Sequence, residues 1–177
     1  MAAKTNWYVI TGGPSSGKTT LINHLASLGY SVVNETARAL IDQGISNGKT
    51  LAEIRKDEFA FQKQVLKMKI DIESKLDKKQ TTFLDRGIPD TIAYCNIYDQ
   101  NPLFVVKASS KKRYQAVFLL EPVKFETDYA RIEGLDFQLK IHDLLKKAYS
   151  DLSYQVIEVP VMPVEERARF VLRQVRV

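Results

Sequence analysis

The run Gly12-Gly13-Pro14-Ser15-Ser16-Gly17-Lys18-Thr19 constrains this 177-residue chain more than any other stretch. It follows a short apolar segment, Trp7-Tyr8-Val9-Ile10, and opens into a helical pattern from Thr20 to Leu28. Glycine, four residues, glycine, lysine and then serine or threonine is the pattern of a phosphate-binding loop. Gly12 and Gly17 let the backbone curl and approach an anion without a Cβ in the way. Successive N–H groups then point into one concavity at the positive end of the next helix. The expected nucleotide site is therefore Gly12, Gly13, Pro14, Ser15, Ser16, Gly17, Lys18, Thr19 and Thr20. Lys18 would reach the β- and γ-phosphates, and the Thr19 hydroxyl would ligate Mg²⁺.

Size and composition fit that reading. Residues 1–177 are expected to form one domain, long enough for a sizeable core. No apolar run approaches the roughly 18 residues that span a bilayer. No secretory signal is apparent, and the single cysteine, Cys95, suits a reducing cytosol, so a cytoplasmic setting is expected. Cys95 falls in an expected helix and reads as buried packing. One cysteine and two histidines make a zinc site a poor expectation. The formal charge of +5 suits an anionic ligand. Basic clusters at 107–113, 140–147 and 167–176 each lie on an expected helix and read as solvated faces. Nothing beyond charge supports a nucleic-acid partner.

Apolar runs alternate with helical patterns along the chain. Strands are expected at 6–11, 30–33, 81–84, 116–120 and 154–159. Helices are expected at 18–28, from Thr36 to about Asp42, over Leu51–Lys78, from Pro89 to about Tyr98, at 102–113, 134–149 and 163–175. Gly44–Thr50 and Phe125–Glu133 read as connections. On the 51–78 helix, Leu51, Ile54, Phe61, Val65, Met68, Ile72 and Leu76 make an apolar stripe for the core. Such alternation means a parallel sheet covered on both faces, with ligands beyond the carboxyl ends of the strands.

Those ends carry the candidate chemistry. Asp85 closes the third strand, where it would hold Mg²⁺, and Arg86 beside it could clamp a phosphate. Glu35 ends the second strand and could take the proton of an attacking hydroxyl. Arg38 lies one turn on and Asp90 opens the helix after Asp-Arg-Gly; both could hold the acceptor. Arg131, with Lys124 a weaker candidate, lies in the polar connection, where a short lid would exclude water and stabilise transferring charge. A guanine-reading Asn/Thr-Lys-x-Asp is missing; Ser74-Lys75-Leu76-Asp77 lacks the Asn and lies inside a helix. No Asp-Glu pair of the hexameric ATPase kind follows the third strand.

Three segments together resemble a known group: Ile10–Thr20, Val33-Asn34-Glu35-Thr36-Ala37-Arg38, and Phe83-Leu84-Asp85-Arg86-Gly87-Ile88-Pro89-Asp90. They are similar to the small AAA-like ATP-binding domains related to the ribosylnicotinamide kinase domain of bacterial NAD regulators. The wider resemblance is to nucleoside and nucleotide kinases. It implies a three-layer α/β P-loop NTPase fold with a five-stranded parallel sheet in the order 2-3-1-4-5. It also implies ATP as donor and Mg²⁺, while the sequence itself leaves GTP open as an alternative donor. Glu35 matches the place of the base, and Asp85 and Arg86 match the metal and phosphate positions. Two functions stay open. One is a kinase for an unidentified small-molecule, nucleoside-like hydroxyl, with Glu35 or Asp85 as base and Lys18, Arg86 and Arg131 neutralising charge. The other is a nucleotide-dependent switch or slow NTPase read by a protein or lipid partner.

Overall fold

A computed structural model describes residues 5–111, 113–122 and 135–175. The strands are β1 (Trp7–Thr11), β2 (Ser31–Val33), β3 (Thr82–Asp85), β4 (Ala116–Leu120) and β5 (Val156–Val159). The helices are α1 (Lys18–Ser27), α2 (Thr36–Ser46), α3 (Leu51–Ile54), α4 (Glu58–Lys75), α5 (Asp90–Ile97), α6 (Leu103–Ser109), α7 (Leu135–Asp151) and α8 (Val164–Gln174). All strand pairs are parallel, in the order β2-β3-β1-β4-β5. This is the α/β layering and strand order expected from the sequence.

The two apolar runs become central strands because both of their faces are covered. Every residue of β1 and β4 is buried. Alternate side chains go to opposite faces. Tyr8, Ile10, Phe118 and Leu120 pack with Leu21, Ile22 and Leu25 of α1 and with Ala168 and Val171 of α8. Trp7, Val9 and Val117 pack on the other face with Tyr149 of α7, and Leu119 joins Ile141 and Leu145 of the same helix. Cys95 is fully buried in that second layer.

The connection after β1 runs outward to the edge strand β2, whereas that after β3 crosses to β4. Neighbouring strands β1 and β3 thus send their chains in opposite directions, and a crevice opens between their carboxyl ends. The register places Ile10 opposite Asp85, so the glycine-rich loop and the Asp85-Arg86 turn leave the sheet side by side.

Two expectations about helices change. The single 51–78 helix is two helices, α3 and α4. Thr50 makes a full capping box with Glu53 at the start of α3, and the Asp57 carboxylate accepts from the Ala60 amide at the start of α4. Two good caps seven residues apart outcompete one continuous helix. In the stripe, Phe61 and Val65 are buried, but Gln62, Lys69 and Glu73 share the buried side while Met68, Ile72 and Leu76 are half-buried. The helix α2 also runs past Asp42 and through Gly44 to Ser46. There the lack of a Cβ admits the Ile54 side chain, whose Cδ1 lies 2.5 Å from where one would sit.

Candidate active site

The loop between β1 and α1 bends where glycine permits it. Gly12 has φ +151°, and a Cβ there would lie 2.8 Å from the Leu120 carbonyl. Lys18, almost wholly buried, donates from Nζ to the Gly13 carbonyl at 2.7 Å and to Ser16 Oγ at 3.1 Å. Two later helices brace the loop. Arg167 of α8 donates to the Ser16 carbonyl at 2.6 Å, and also to the carbonyls of Pro160 and Glu121. Gln138 of α7 donates to the Pro14 carbonyl at 2.7 Å. Thr19 and Thr20 are exposed at the first turn of α1.

Beside the loop stands the turn after β3. Arg86 takes φ +70°, a conformation that costs a non-glycine residue about 1–3 kcal/mol unless its surroundings impose it. Here they do. Its Nε donates to Glu35 at 2.8 Å, and its Nη1 to the Gly12 carbonyl at 3.1 Å and to Asp90 at 3.3 Å. The ring of Tyr94 lies 5.1 Å below the guanidinium. One residue on, a Cβ at Gly87 would sit 2.8 Å from the Tyr149 hydroxyl and 2.9 Å from that of Tyr114, so only glycine fits. Asp90 is fully buried and accepts from Thr11 Oγ1, the Gly87 amide, Arg86 and the Tyr149 hydroxyl.

The two strand-end acids have opposite electrostatics. Burial alone would raise the Glu35 carboxyl, but the charges of Arg86 and Lys18 outweigh it and hold it down to about 2. For Asp85, burial and then the Glu35 charge win, pushing its pKa up to about 6 against the pull of Lys18 and Arg86. The Asp85 Oδ1 atom is buried and has no hydrogen-bond partner. A buried carboxylate oxygen of that kind beside the phosphate loop fits a Mg²⁺ ion or its water. No group of three or more His, Cys, Asp or Glu side chains suited to a metal occurs among the described residues. An ion here would therefore rely on Thr19, Asp85 and the nucleotide's own oxygens, the usual economy of a Mg²⁺ site.

A cleft extends from this point between α2, α4 and α5. The charged residues Lys18, Glu35, Arg38, Arg55, Lys69 and Arg86 line it, together with Pro14, Ala37, Ile41, Phe61, Gln62, Val65, Thr91 and Tyr94. Lys69 is buried, donates to the Gly87 carbonyl at 2.7 Å, and has its pKa pulled below the ordinary value chiefly by burial.

A family model described as an AAA domain matches residues 7–167. The chain belongs to this AAA-domain family. No curated protein matches it in sequence. Among solved structures, the NadR protein in complex with NR superposes with a TM-score of 0.74 at 18% identity, over 98% of this chain and 52% of that one. The chain thus spans about half the length of NadR. Deoxyadenosine kinase from M. mycoides gives a TM-score of 0.67 at 14% identity, over 95% of this chain and 97% of that one. Shikimate kinase from Acinetobacter baumannii, in complex with shikimate, gives 0.61 at 20%, over 97% and 93%. The fold of this AAA-domain chain is that of P-loop nucleoside and nucleotide kinases.

Within this AAA-domain protein, the residues singled out from the sequence separate into three groups. Lys18, Glu35, Arg38 and Arg86 line one cleft, with Asp85 just behind it. Asp90, expected to touch the acceptor, does not line the cleft; its oxygens hold Arg86, Thr11 and the turn instead. Arg131 and Lys124 lie outside the described residues. Arg167, grouped by sequence with a solvated basic face, is buried against the loop. Lys69, Arg55, Gln62 and Thr91 had not been singled out. Polar Gln62, Lys69 and Glu73 recur at spacings of seven and four, in phase with Phe61 and Val65, and that signal was available. Thr91 and Arg55 carry no such mark. Among the described residues, no helix is long and apolar enough to cross a membrane.

Proposed function

We infer that this protein is a small-molecule kinase that moves the γ-phosphoryl group of ATP to a hydroxyl of a nucleoside-like acceptor. One observation carries the reading: a side cleft reaches the phosphate loop at Pro14 and Lys18, and Glu35 and Arg86 line it beside them, with Arg86 donating to the Gly12 carbonyl of the loop. A bare nucleotide switch needs the loop but not a second chamber lined by a strand-end acid.

In this mechanism Lys18 and the loop amides hold the β- and γ-phosphates, and GTP could use the same contacts. Mg²⁺, held by Thr19 and Asp85, would neutralise charge on the phosphates. The acceptor oxygen attacks the γ-phosphorus, the bond to the bridging oxygen breaks, and ADP leaves. Glu35, kept ionised by Arg86, faces the cleft and takes the hydroxyl proton. Arg86 itself is fixed beside the transferring group, a matter of positioning and electrostatics. Arg131 keeps its proposed role of neutralising charge on the transferring group.

The groove on the outer side of α2 and α4 bears Lys49, Lys56, Glu53, Asp57 and Glu58. Leu40, Ile54 and Phe59 line it as well, so it is mixed in both charge and polarity and is not a basic docking face. The test is labelled ATP and Mg²⁺ with a panel of nucleosides, including nicotinamide riboside, and of hydroxy acids. Transfer to one of them is expected, together with its loss in Glu35→Gln while ATP still binds. Full turnover by that variant would pass the base role to Asp85. ATP bound without transfer to any acceptor would favour the switch.

A further inference from the structure

The cleft is unbalanced in charge. Lys18, Arg38, Arg55, Lys69 and Arg86 line it, against the single carboxylate of Glu35. Much of this charge is already matched. Glu35 and Asp90 bracket Arg86, and Lys69 sits near Asp90, Glu73 and Glu35. Lys18 is committed to the donor's phosphates. Arg55 touches Glu58 at 2.9 Å and the Tyr98 hydroxyl at 2.6 Å, and Asp42 lies one turn from Arg38 on α2.

Even with those partners, two guanidiniums from separate elements, Arg38 on α2 and Arg55 between α3 and α4, face one small space. Each offers several N–H donors in a planar fork suited to phosphate or carboxylate oxygens. Ile41, Phe61 and Val65 line the same cleft and offer an apolar and aromatic wall. Thr91 lines the same cleft, and its buried hydroxyl has no hydrogen-bond partner. A neutral acceptor would desolvate the guanidiniums and give nothing back.

We propose that the acceptor carries an anionic group of its own, a phosphate or a carboxylate, beside the hydroxyl that is phosphorylated. Arg38 and Arg55 take the anion, Ile41, Phe61 and Val65 take its body, and Thr91 meets a polar edge. This deepens the kinase reading and rests on it for the purpose of the cleft.

Binding is measured by calorimetry on the full chain with the loop saturated by AMP-PNP and Mg²⁺, so that probes report the cleft alone. The probes are matched pairs: adenosine and its 5′-monophosphate, cytidine and its 5′-monophosphate, shikimate and its methyl ester. The charged member of at least one pair should bind tenfold or more tightly than its neutral partner. The pair that responds separates phosphate from carboxylate. Arg38→Gln and Arg55→Gln should each cut that preference at least threefold, while Arg55→Lys keeps part of it. Equal affinities within every pair, binding of the neutral members alone, no binding by any probe, or a preference untouched by both glutamine variants each overturns the proposal. A charged probe that binds in this way but is never phosphorylated when ATP replaces AMP-PNP would instead defeat the kinase reading and leave the cleft's preference standing.

Discussion

Asp90 accepts four hydrogen bonds while fully buried, and its loss should be felt twice. Asp90→Asn keeps the volume but turns an NH₂ toward donors and removes the charge facing Arg86. A stability loss of about 3 kcal/mol is expected, read as a lower urea midpoint at unchanged slope. Transfer should fall further than stability predicts, because Arg86 loses a support of its left-handed backbone. Asp85 calls for the opposite expectation. It ionises near 6 when folded against an ordinary 3.8. Between those values the folded chain keeps a proton that the unfolded chain has released, so stability falls as pH rises through the window and stays lower above it. Asp85→Asn has no charge to bury. It should therefore melt higher than the parent at about pH 7, with the gain vanishing near about pH 4. Activity that depends on Mg²⁺ should drop in the same protein. A gain equal at both pH values would mean that another group titrates.

Among the elements, α8 and α7 do more than cover the sheet. Arg167 of α8 joins three carbonyls, Ser16 in the loop, Glu121 just after β4 and Pro160 just after β5, tying the segments beyond three strands together. Arg167→Ala strands those carbonyls and should cost about 2 kcal/mol. Faster hydrogen exchange at Ser15–Thr19 than in the rest of α1 would show that the loop itself has loosened. Exchange raised evenly over the molecule would reduce Arg167 to a general packing residue. The division of α3 from α4 has its own test. Thr50→Ala removes half of a capping box and should lower stability by about 1 kcal/mol, measured by denaturant titration. Because Arg55 sits just beyond that short helix, the same change should also disturb the cleft wall.

At the scale of the molecule, donor binding and folding are linked through Lys18. Saturating ATP and Mg²⁺ at a hundredfold excess over the dissociation constant should stabilise the chain by about 2.7 kcal/mol. Lys18→Ala should erase that shift in a thermal melt, and an unchanged shift would remove the loop from nucleotide binding. The strands and the loop were legible early, because buried parallel strands are continuous apolar runs and the loop's glycines and lysine sit at fixed spacing, whereas the strand order came only from the resemblance. Glu35, Asp85 and Arg86 were legible too, since strand ends fall on one edge of such a sheet. The broken 51–78 helix was missed because an apolar stripe outlasts a change of axis and hides the two caps, Thr50 and Asp57, that divide it. Sequence alone thus determined the element order, the phosphate loop and the acids facing it, all of them local or periodic signals. Tertiary structure decided that Asp90 supports Arg86 and does not line the cleft, that Arg167 braces the loop, and that Arg38 and Arg55 line the same cleft. Those facts depend on contacts between residues 4 to 151 positions apart in the chain, which no local pattern encodes.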